Sequence, residues 1–338
     1  MNKKISVNVV SESDISVQGH GVHTAYVEMI SALKKYTDLN VIVGNINEYF
    51  DVDIIHFHTI GPRTWRKLLQ KGPRKVMSAH IVPDSLVGSL ILARYWKFLA
   101  VWYMRWFYNR ADVLLAVSEE ARRDLVQLGV TVPIEIFYNF IDKDEYKTAR
   151  LPRNKIRAKL NIPDDAFVVI GAGQVQPRKR VDCFFDAAEK MPDVHFIWAG
   201  GMPFGRIAAD SAHMKRMMES SPENVHFAGM IPLADMVSYY KAADLFWLPS
   251  EQETFGLVVV EAAAAGLPVM VRDIADYDDT FGNDAARCDD VTQLAMLEKF
   301  RDDAGYYDQQ KQKAMLIAER FDSSQAAAKL VEIYRQLI

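Results

Sequence analysis

"LFWLPSEQETFGLVVVEAAAAGLP", residues 245–268, reads as a strand, a turn and a helix in succession. Leu245–Leu248 is a short buried strand that stops at Pro249-Ser250. The Ala-rich run after Phe255 has the composition of a buried helix, and Gly266 stands where a C′ glycine ends one. Two carboxylates punctuate the run. Glu253 falls at or just before the expected helix start, and Glu261 two turns in, among Val and Ala on a helix with almost no polar face. Eight helical residues rise about 12 Å, the scale of a nucleotide sugar measured from ribose to hexose. The N–H groups around Phe255, Gly256 and Leu257, at the positive end of the helix, suit a diphosphate, and Gly256 lets the backbone come close. The plain alternative is an exposed Glu253 and a solvated Glu261. A carboxylate surrounded by Val and Ala needs partners, however, and sugar hydroxyls are suitable ones.

Outward from this unit the same alternation recurs. Phe167–Ala172, His195–Ala199, Val225–Phe227 and Pro268–Val271 read as further buried strands with helical spacers between them. An earlier series is Ile5–Val10, Asn40–Val43, Asp53–His58, Lys75–Ser78, Val113–Val117 and Glu135–Phe137. Such βαβ alternation predicts parallel, doubly wound sheets. The polar stretch 147–165, with Pro152 and Pro163, interrupts it and is read as the boundary. The expectation is two Rossmann-like α/β domains, residues 1–150 and residues 151–315, facing a cleft of the kind that binds nucleotides and small ligands. Residues 316–338 form a returning C-terminal segment, in which Ala327, Leu330, Val331, Tyr334 and Leu337 keep helical spacing.

The chain has 338 residues and a formal net charge of −4. That charge is uneven: residues 1–150 hold about 19 Lys and Arg against about 16 Asp and Glu, while the rest holds about 21 against about 28. A basic first half points to an anionic partner there. Overall acidity and the lack of a dense basic stripe argue against nucleic acid. Cys183 and Cys288 have no metal-site spacing and fit a reduced, cytoplasmic protein. No secretory signal pattern or membrane-spanning run is evident. His56 and His58 alternate on a strand without an evident third ligand, so they read as structural and no metal is expected. No Ser-His-Asp or Cys-His nucleophile set is present.

The stretch 250–269 resembles the E-x7-E signature of the retaining glycosyltransferases of family 4, which have the two-Rossmann GT-B fold. "AVSEEARRDL" (116–125), "YNFIDKDEY" (138–146) and "AADLFWLPS" (242–250) continue the likeness in order. The resemblance implies a UDP-sugar as co-substrate, no cofactor, and transfer with retention by same-face attack. It implies that Glu253, Thr254, Phe255, Gly256, Leu257 and Glu261 bind the donor, with Glu261 on the ribose. It places a Gly-rich loop with Gly19 and Gly21 at the donor phosphate, although His20 stands where the family has a second adjacent glycine. In "GAGQVQPRKRVDCF" (171–184), Lys179 matches the family's leaving-group lysine. Gln174 replaces its arginine, and Arg178 compensates. His80, ending "KVMSAH", matches a strand-end histidine that touches the donor hexose.

Residues 86–112 crowd aromatics among cations, preceded by "RTWRKLLQKGPRK" (63–75). Trp65, Arg66, Lys67, Arg94, Trp96, Lys97, Trp102, Arg105 and Trp106 are the candidate membrane and acceptor contacts. Aromatics with Lys and Arg on amphipathic helices favour an anionic bilayer surface, whereas a buried helix pair is the other reading of the same residues. "QGHGVHTAY", "HFHTI", "HIVPDSLVGSL", "GAGQVQPRKR" and "FIWAGGMPFG" resemble bacterial enzymes that add a second hexose to glucosyl-diacylglycerol. That likeness implies UDP-galactose or UDP-glucose as donor, a glycolipid acceptor, and a peripheral site on the inner face of the plasma membrane. A family 4 enzyme with a soluble or cell-wall acceptor is the alternative. A non-catalytic sugar-nucleotide-binding protein is a third, opposed by the presence of Glu253, Glu261 and Lys179 together.

Overall fold

The computed structural model describes residues 4–12, 21–36, 38–44, 48–80, 93–201 and 211–338, and the side chains of all these except 93–97 and 211–213. Both strand series form six-stranded, all-parallel sheets. The first holds β1 (Ile5–Val10), β2 (Leu39–Val43), β3 (Ile54–Phe57), β4 (Arg74–Ala79), β5 (Val113–Ala116) and β6 (Ile134–Ile136), in the order β2-β1-β3-β4-β5-β6. The second holds β7 (Phe167–Ala172), β8 (Val194–Ala199), β9 (Val225–Gly229), β10 (Leu245–Leu248), β11 (Val269–Arg272) and β12 (Ala286–Cys288), in the order β12-β11-β10-β7-β8-β9. Every residue of β3, β5 and β10 is buried. Helices cover both faces of such sheets, so these strands read as continuous apolar runs without alternation.

The chain divides into two compact units. Unit 1 runs to Asp142 and takes up the chain again from Phe321 to Ile338; unit 2 is Lys143–Arg320. Among the described residues, unit 1 carries α1 (Gly21–Lys34), α2 (Pro62–Leu68), α3 (Ala93–Tyr108) and α4 (Glu119–Gln127). Ser118 is the N-cap of α4, its hydroxyl accepting from the Ala121 N–H at 3.1 Å, which accounts structurally for the serine of "AVSEEARRDL". Unit 2 carries α5 (Arg153–Lys159), α6 (Asp182–Lys190), α7 (Ser211–Glu219), α8 (Leu233–Ala242), α9 (Leu257–Ala264), α10 (Gln293–Asp302) and α11 (Ala304–Arg320). The polar stretch 147–165 belongs to unit 2. There the fully buried Arg157 guanidinium donates to the carbonyls of Ala242, Pro163, Asp164 and Ala166 and pairs with Asp244 at 2.9 Å. A polar sequence here marks a satisfied buried cation.

The last helix, α12 (Ser323–Leu337), is part of unit 1. The Ile141 N–H donates to the Phe321 carbonyl at 3.1 Å and the Ser323 N–H to the Ile141 carbonyl at 2.8 Å, which stitches the returning chain to the first unit. Ala327, Leu330, Val331 and Tyr334 then pack against Tyr26, Met29, Ile30 and Leu33 of α1. The helical spacing of those four residues is the imprint of this contact.

Candidate functional site

In unit 2 the chain leaves β7 toward β8 and β9, then returns to β10 on the other side of β7. Loops after β7 and β10 therefore part at a topological switch point, where open parallel sheets bind ligands beyond the strand C-termini. Gly173 leaves β7 with φ +141°, a conformation that suits glycine. The chain then forms a tight turn over Pro177–Lys179 and passes through Arg180 at φ +50°. The loop after β10 is laced onto it. The Glu251 N–H donates to the Arg178 carbonyl at 2.9 Å, and Arg178 Nη1 donates to the Gln252 carbonyl at 3.0 Å. Arg180 pairs with Glu251 at 2.7 Å.

These contacts bring Arg178, Lys179 and Glu253 together. Lys179 Nζ is ion-paired with Glu253 Oε1, both side chains only 9% exposed, and Arg178 Nη1 lies 3.8 Å from Glu253 Oε2. Burial by itself would raise the Glu253 carboxyl, but the charges of Lys179 and Arg178 outweigh it and hold the group below its ordinary value. The Glu253 N–H donates to Asp276 Oδ2 at 2.7 Å. Asp276 belongs to a short turn, Ala275–Tyr277, that underlies the loop. At Gly256 the backbone is left-handed, φ +84°, and a Cβ there would lie 3.2 Å from the Tyr277 ring. Glycine is needed on both counts.

Helix α9 starts only at Leu257, with no side-chain cap. The expected 12 Å helical rise from Glu253 to Glu261 therefore does not hold, because left-handed Gly256 breaks the helix between them. Glu261 is the fifth helical residue, little more than one turn in, and is buried. Its Oε2 accepts from the Tyr240 hydroxyl at 2.8 Å. Burial pushes its carboxyl up to about 7 against the lowering effect of that hydrogen bond. Among the described residues, then, the cations and Glu253 lie on one side of an uncapped helix start, and a buried carboxylate lies just beyond it. Thr254, Phe255, Gly256 and Leu257 link the two. Tyr240 and Asp276 have no motif in the sequence; both became visible as site residues only through packing.

In unit 1 the switch point lies between β1 and β3. Gly19 and His20 of the Gly-rich loop lie outside the described residues. Gly21 opens α1, and a Cβ there would meet no atom within 4 Å. His56, His58 and His80 line up at the C-terminal ends of β3 and β4. The rings of His56 and His58 stack at 4.9 Å, and those of His58 and His80 at 5.2 Å. His56 Nδ1 bonds to the Tyr334 hydroxyl at 2.6 Å and Nε2 to Ser78 Oγ at 2.9 Å. Burial pushes His56 down to about 3 and holds His58 well below the ordinary imidazole value. Among the described residues no group of three or more His, Cys, Asp or Glu side chains could hold a metal ion.

The aromatic segment of unit 1 divides between core and surface. Met104, Phe107 and Tyr108 of α3 are buried, whereas Phe98, Leu99 and Trp102 are 73%, 56% and 62% exposed. Trp106 is half-buried, with the Arg110 guanidinium 3.6 Å above its ring and Trp65 of α2 at 6.3 Å. Trp65, Arg63, Arg66 and Arg105 are exposed. Lys67 is not a surface contact: it is buried, donates to the Glu48 carbonyl at 2.7 Å, and is pushed down to about 8 by burial. Arg74 and Lys75 open β4, at the opposite end of the sheet from the start of α2, and Arg74 pairs with Asp112 at 2.8 Å. The basic stretch 63–75 thus does not form one face. The side chains of Arg94, Trp96 and Lys97 lie outside the described residues. No helix among the described residues is long and apolar enough to cross a membrane.

Residues 152–297 match the family described as Glycosyl transferases group 1, and residues 11–145 match Glycosyltransferase Family 4. The chain is 36% identical over 281 residues to alpha-galactosylglucosyldiacylglycerol synthase of Streptococcus pneumoniae, covering 81% of this chain and 74% of that one. It is 26% identical over 231 residues to processive diacylglycerol alpha-glucosyltransferase of Acholeplasma laidlawii, covering 67% and 68%. The fold is that of sucrose-phosphate synthase from Thermosynechococcus elongatus, with TM-score 0.79 at 16% identity over 99% of both chains. It is also that of Anabaena HepE, solved in complex with UDP-glucose, with TM-score 0.78 at 18% identity over 98% of this chain and 100% of that one. The architecture is therefore GT-B.

Proposed function

The chain belongs to the group 1 glycosyltransferases of family 4, and from that premise we propose that it is a retaining, UDP-sugar-dependent hexosyltransferase. Its acceptor is a diacylglycerol-linked glucose, and its donor is UDP-galactose or UDP-glucose. The observation that carries this reading is the 36% identity, sustained over 281 residues, to a synthase named for a galactosylglucosyl-diacylglycerol product. The Acholeplasma relative is likewise named for transfer to diacylglycerol.

In this reading unit 2 takes the donor. The ribose hydroxyls bond to Glu261, and the diphosphate lies at the start of α9 against Lys179 and Arg178. Thr254, Phe255, Gly256 and Leu257 offer backbone N–H groups to the diphosphate and hexose. Donor phosphate competes with Glu253 for Lys179, and the displaced carboxylate turns to hexose hydroxyls. As the bond from the anomeric carbon to the diphosphate oxygen breaks, negative charge grows on the leaving group. Two cations already fixed in a water-poor site stabilise that charge without reorganising. The acceptor hydroxyl forms the new bond on the same face and passes its proton to the departing diphosphate oxygen, so configuration is kept and no enzyme nucleophile is needed. His80 bonds to a sugar hydroxyl. No metal or cofactor takes part.

Unit 1 meets the lipid at the inner face of the plasma membrane. Exposing each CH2 of an acyl chain to water costs about 0.8 kcal/mol, so the enzyme must go to its acceptor. Phe98, Leu99, Trp102 and Trp65, bordered by Arg63, Arg66 and Arg105, are the contact surface. The deciding assay combines purified protein, glucosyl-diacylglycerol in anionic mixed micelles, and each UDP-hexose in turn, with the product anomer read by NMR. An α-linked diglycosyl-diacylglycerol, formed equally in a chelator, is expected. Transfer only to a soluble acceptor would overturn the lipid reading, and inversion would overturn the mechanism.

A further inference from the structure

His58 takes no part in the reaction as described, yet its environment is unusually specific. It is 1% exposed and neighbours two other imidazoles: the His56 ring at 4.9 Å between centroids and the His80 ring at 5.2 Å, nearly coplanar with it at 24°. The Tyr26 ring meets it edge-on at 5.4 Å. His58 Nε2 lies 3.1 Å from the Met29 sulfur, and His58 Nδ1 lies 3.1 Å from His80 Nε2. Burial keeps the ring neutral, so it carries one N–H only.

A thioether sulfur accepts hydrogen bonds weakly and donates none. A bare Nε2 against it would set two lone pairs face to face. The proton of His58 must therefore sit on Nε2, directed at Met29, and Nδ1 must be the acceptor. His80 can satisfy that acceptor only as an Nε2–H donor. We infer that His58 is a positioning residue for His80: His58 Nδ1 accepts the His80 Nε2–H and so holds the His80 ring in one orientation. His56 completes the arrangement, because its bonds to Tyr334 and Ser78 hold it as one wall of the stack that keeps the His58 ring in plane. The consequence for transfer rests on the reading that His80 touches a sugar hydroxyl. A ring held at Nε2 keeps one orientation toward that hydroxyl, and so positions the sugar.

The test has a spectroscopic arm that needs no substrate. Histidine labelled at its ring nitrogens, observed by long-range proton–nitrogen correlation above the ordinary imidazole range, distinguishes the tautomers. The expected result is His58 and His80 both protonated on Nε2. A His80 ring whose Nε2 carries no proton overturns the inference. The kinetic arm compares His58→Asn, whose side-chain oxygen can replace the Nδ1 acceptor, with His58→Leu, which removes it. His58→Leu should lower kcat about tenfold or more while UDP affinity and fold are kept, and His58→Asn should recover most of the loss. Wild-type turnover in a folded His58→Leu protein overturns the functional consequence. Absence of UDP-hexose turnover in the wild type would count against the proposed function, while the tautomer measurement would still decide the inference.

Discussion

The Lys179 ammonium lies against the Glu253 carboxylate where the β7 and β10 loops meet, and each side chain is only 9% exposed. Such a pair is costly to break from one side. Lys179→Met leaves a buried carboxylate whose cationic neighbour is Arg178 at 3.8 Å, and loss of one partner of a buried pair typically costs about 3–5 kcal/mol. The double variant Lys179→Met/Glu253→Gln removes both charges and should regain much of that stability without regaining turnover. Thermal unfolding and kcat, measured on the same preparations, separate the two effects. A Lys179→Met enzyme with a normal kcat would sink the leaving-group role. The sign of the pH effect also follows. Glu253 lies below its ordinary value of 4.5, so the stability it contributes is present above that value and is lost as pH falls through the lower, folded one.

Glu261 should behave in the opposite sense. Burial raises its carboxyl from 4.5 to about 7, so the unfolded chain ionises first as pH rises. Stability therefore falls as pH rises through that window, by roughly 3 kcal/mol in all. Glu261→Gln should flatten this dependence. Tyr240→Phe should push the Glu261 carboxyl further up, since the phenol stabilises the anion. Ribose hydroxyls favour the ionised form, so UDP affinity should rise with pH toward about 7 and above in the wild type. Calorimetry on Glu261→Gln removes the part due to this carboxylate and leaves the phosphate's own titration. Identical pH profiles for the two proteins would exclude Glu261 as the ribose ligand.

Asp276 holds Glu253 by its backbone, through the N–H donated to Oδ2 at 2.7 Å. Asp276→Asn keeps an acceptor oxygen in place, whereas Asp276→Leu does not. The leucine variant should lower kcat/KM for the donor about tenfold, with the asparagine variant within a few-fold of wild type. Amide exchange at Glu253 should quicken in Asp276→Leu alone. Equal donor kinetics in all three proteins would show that the bond only closes a loop.

Most of the fold was legible because parallel strands buried on both faces leave continuous apolar runs, as at Leu245–Leu248 and Ile54–Phe57. β12 was missed: Ala286–Cys288 is three residues long, with Arg287 at its centre, and offers no such run. The helix start at Leu257 was placed too early because apolar composition continues through Phe255, while only backbone geometry shows Gly256 to be left-handed. Glu253 and Glu261 were legible as candidates through their spacing, and Lys179 and Arg178 through the family resemblance of residues 171–184. Asp276 and Tyr240 were not, because each reaches the site from a different element with no fixed offset in sequence. Lys67 was misread as a surface cation for a related reason: the Glu48 carbonyl and the Phe50 ring that receive it are contributed by another segment.

The membrane surface gives the last prediction. Helical spacing puts Phe98, Trp102 and Arg105 of α3 along one side, away from buried Met104 and Phe107. Trp65 joins them from α2 through Trp106. Each arginine near an anionic leaflet contributes about 1 kcal/mol, so Arg63, Arg66 and Arg105 together supply about 3 kcal/mol. Replacing all three by Gln should weaken binding to phosphatidylglycerol vesicles about a hundredfold at low salt. The wild type should lose affinity as salt rises, because exposed charges are screened over about 10 Å at 0.1 M. Trp102→Ser should weaken binding with little change in that salt dependence, since an inserted ring acts by desolvation. Arg74→Gln is the control: it lies at the other end of β4, pairs with Asp112, and should change nothing. Vesicle co-sedimentation reads all three variants beside the wild type. If Arg74→Gln weakens binding as much as the triple replacement, attraction is a matter of net charge and the α2–α3 face is not the docking surface.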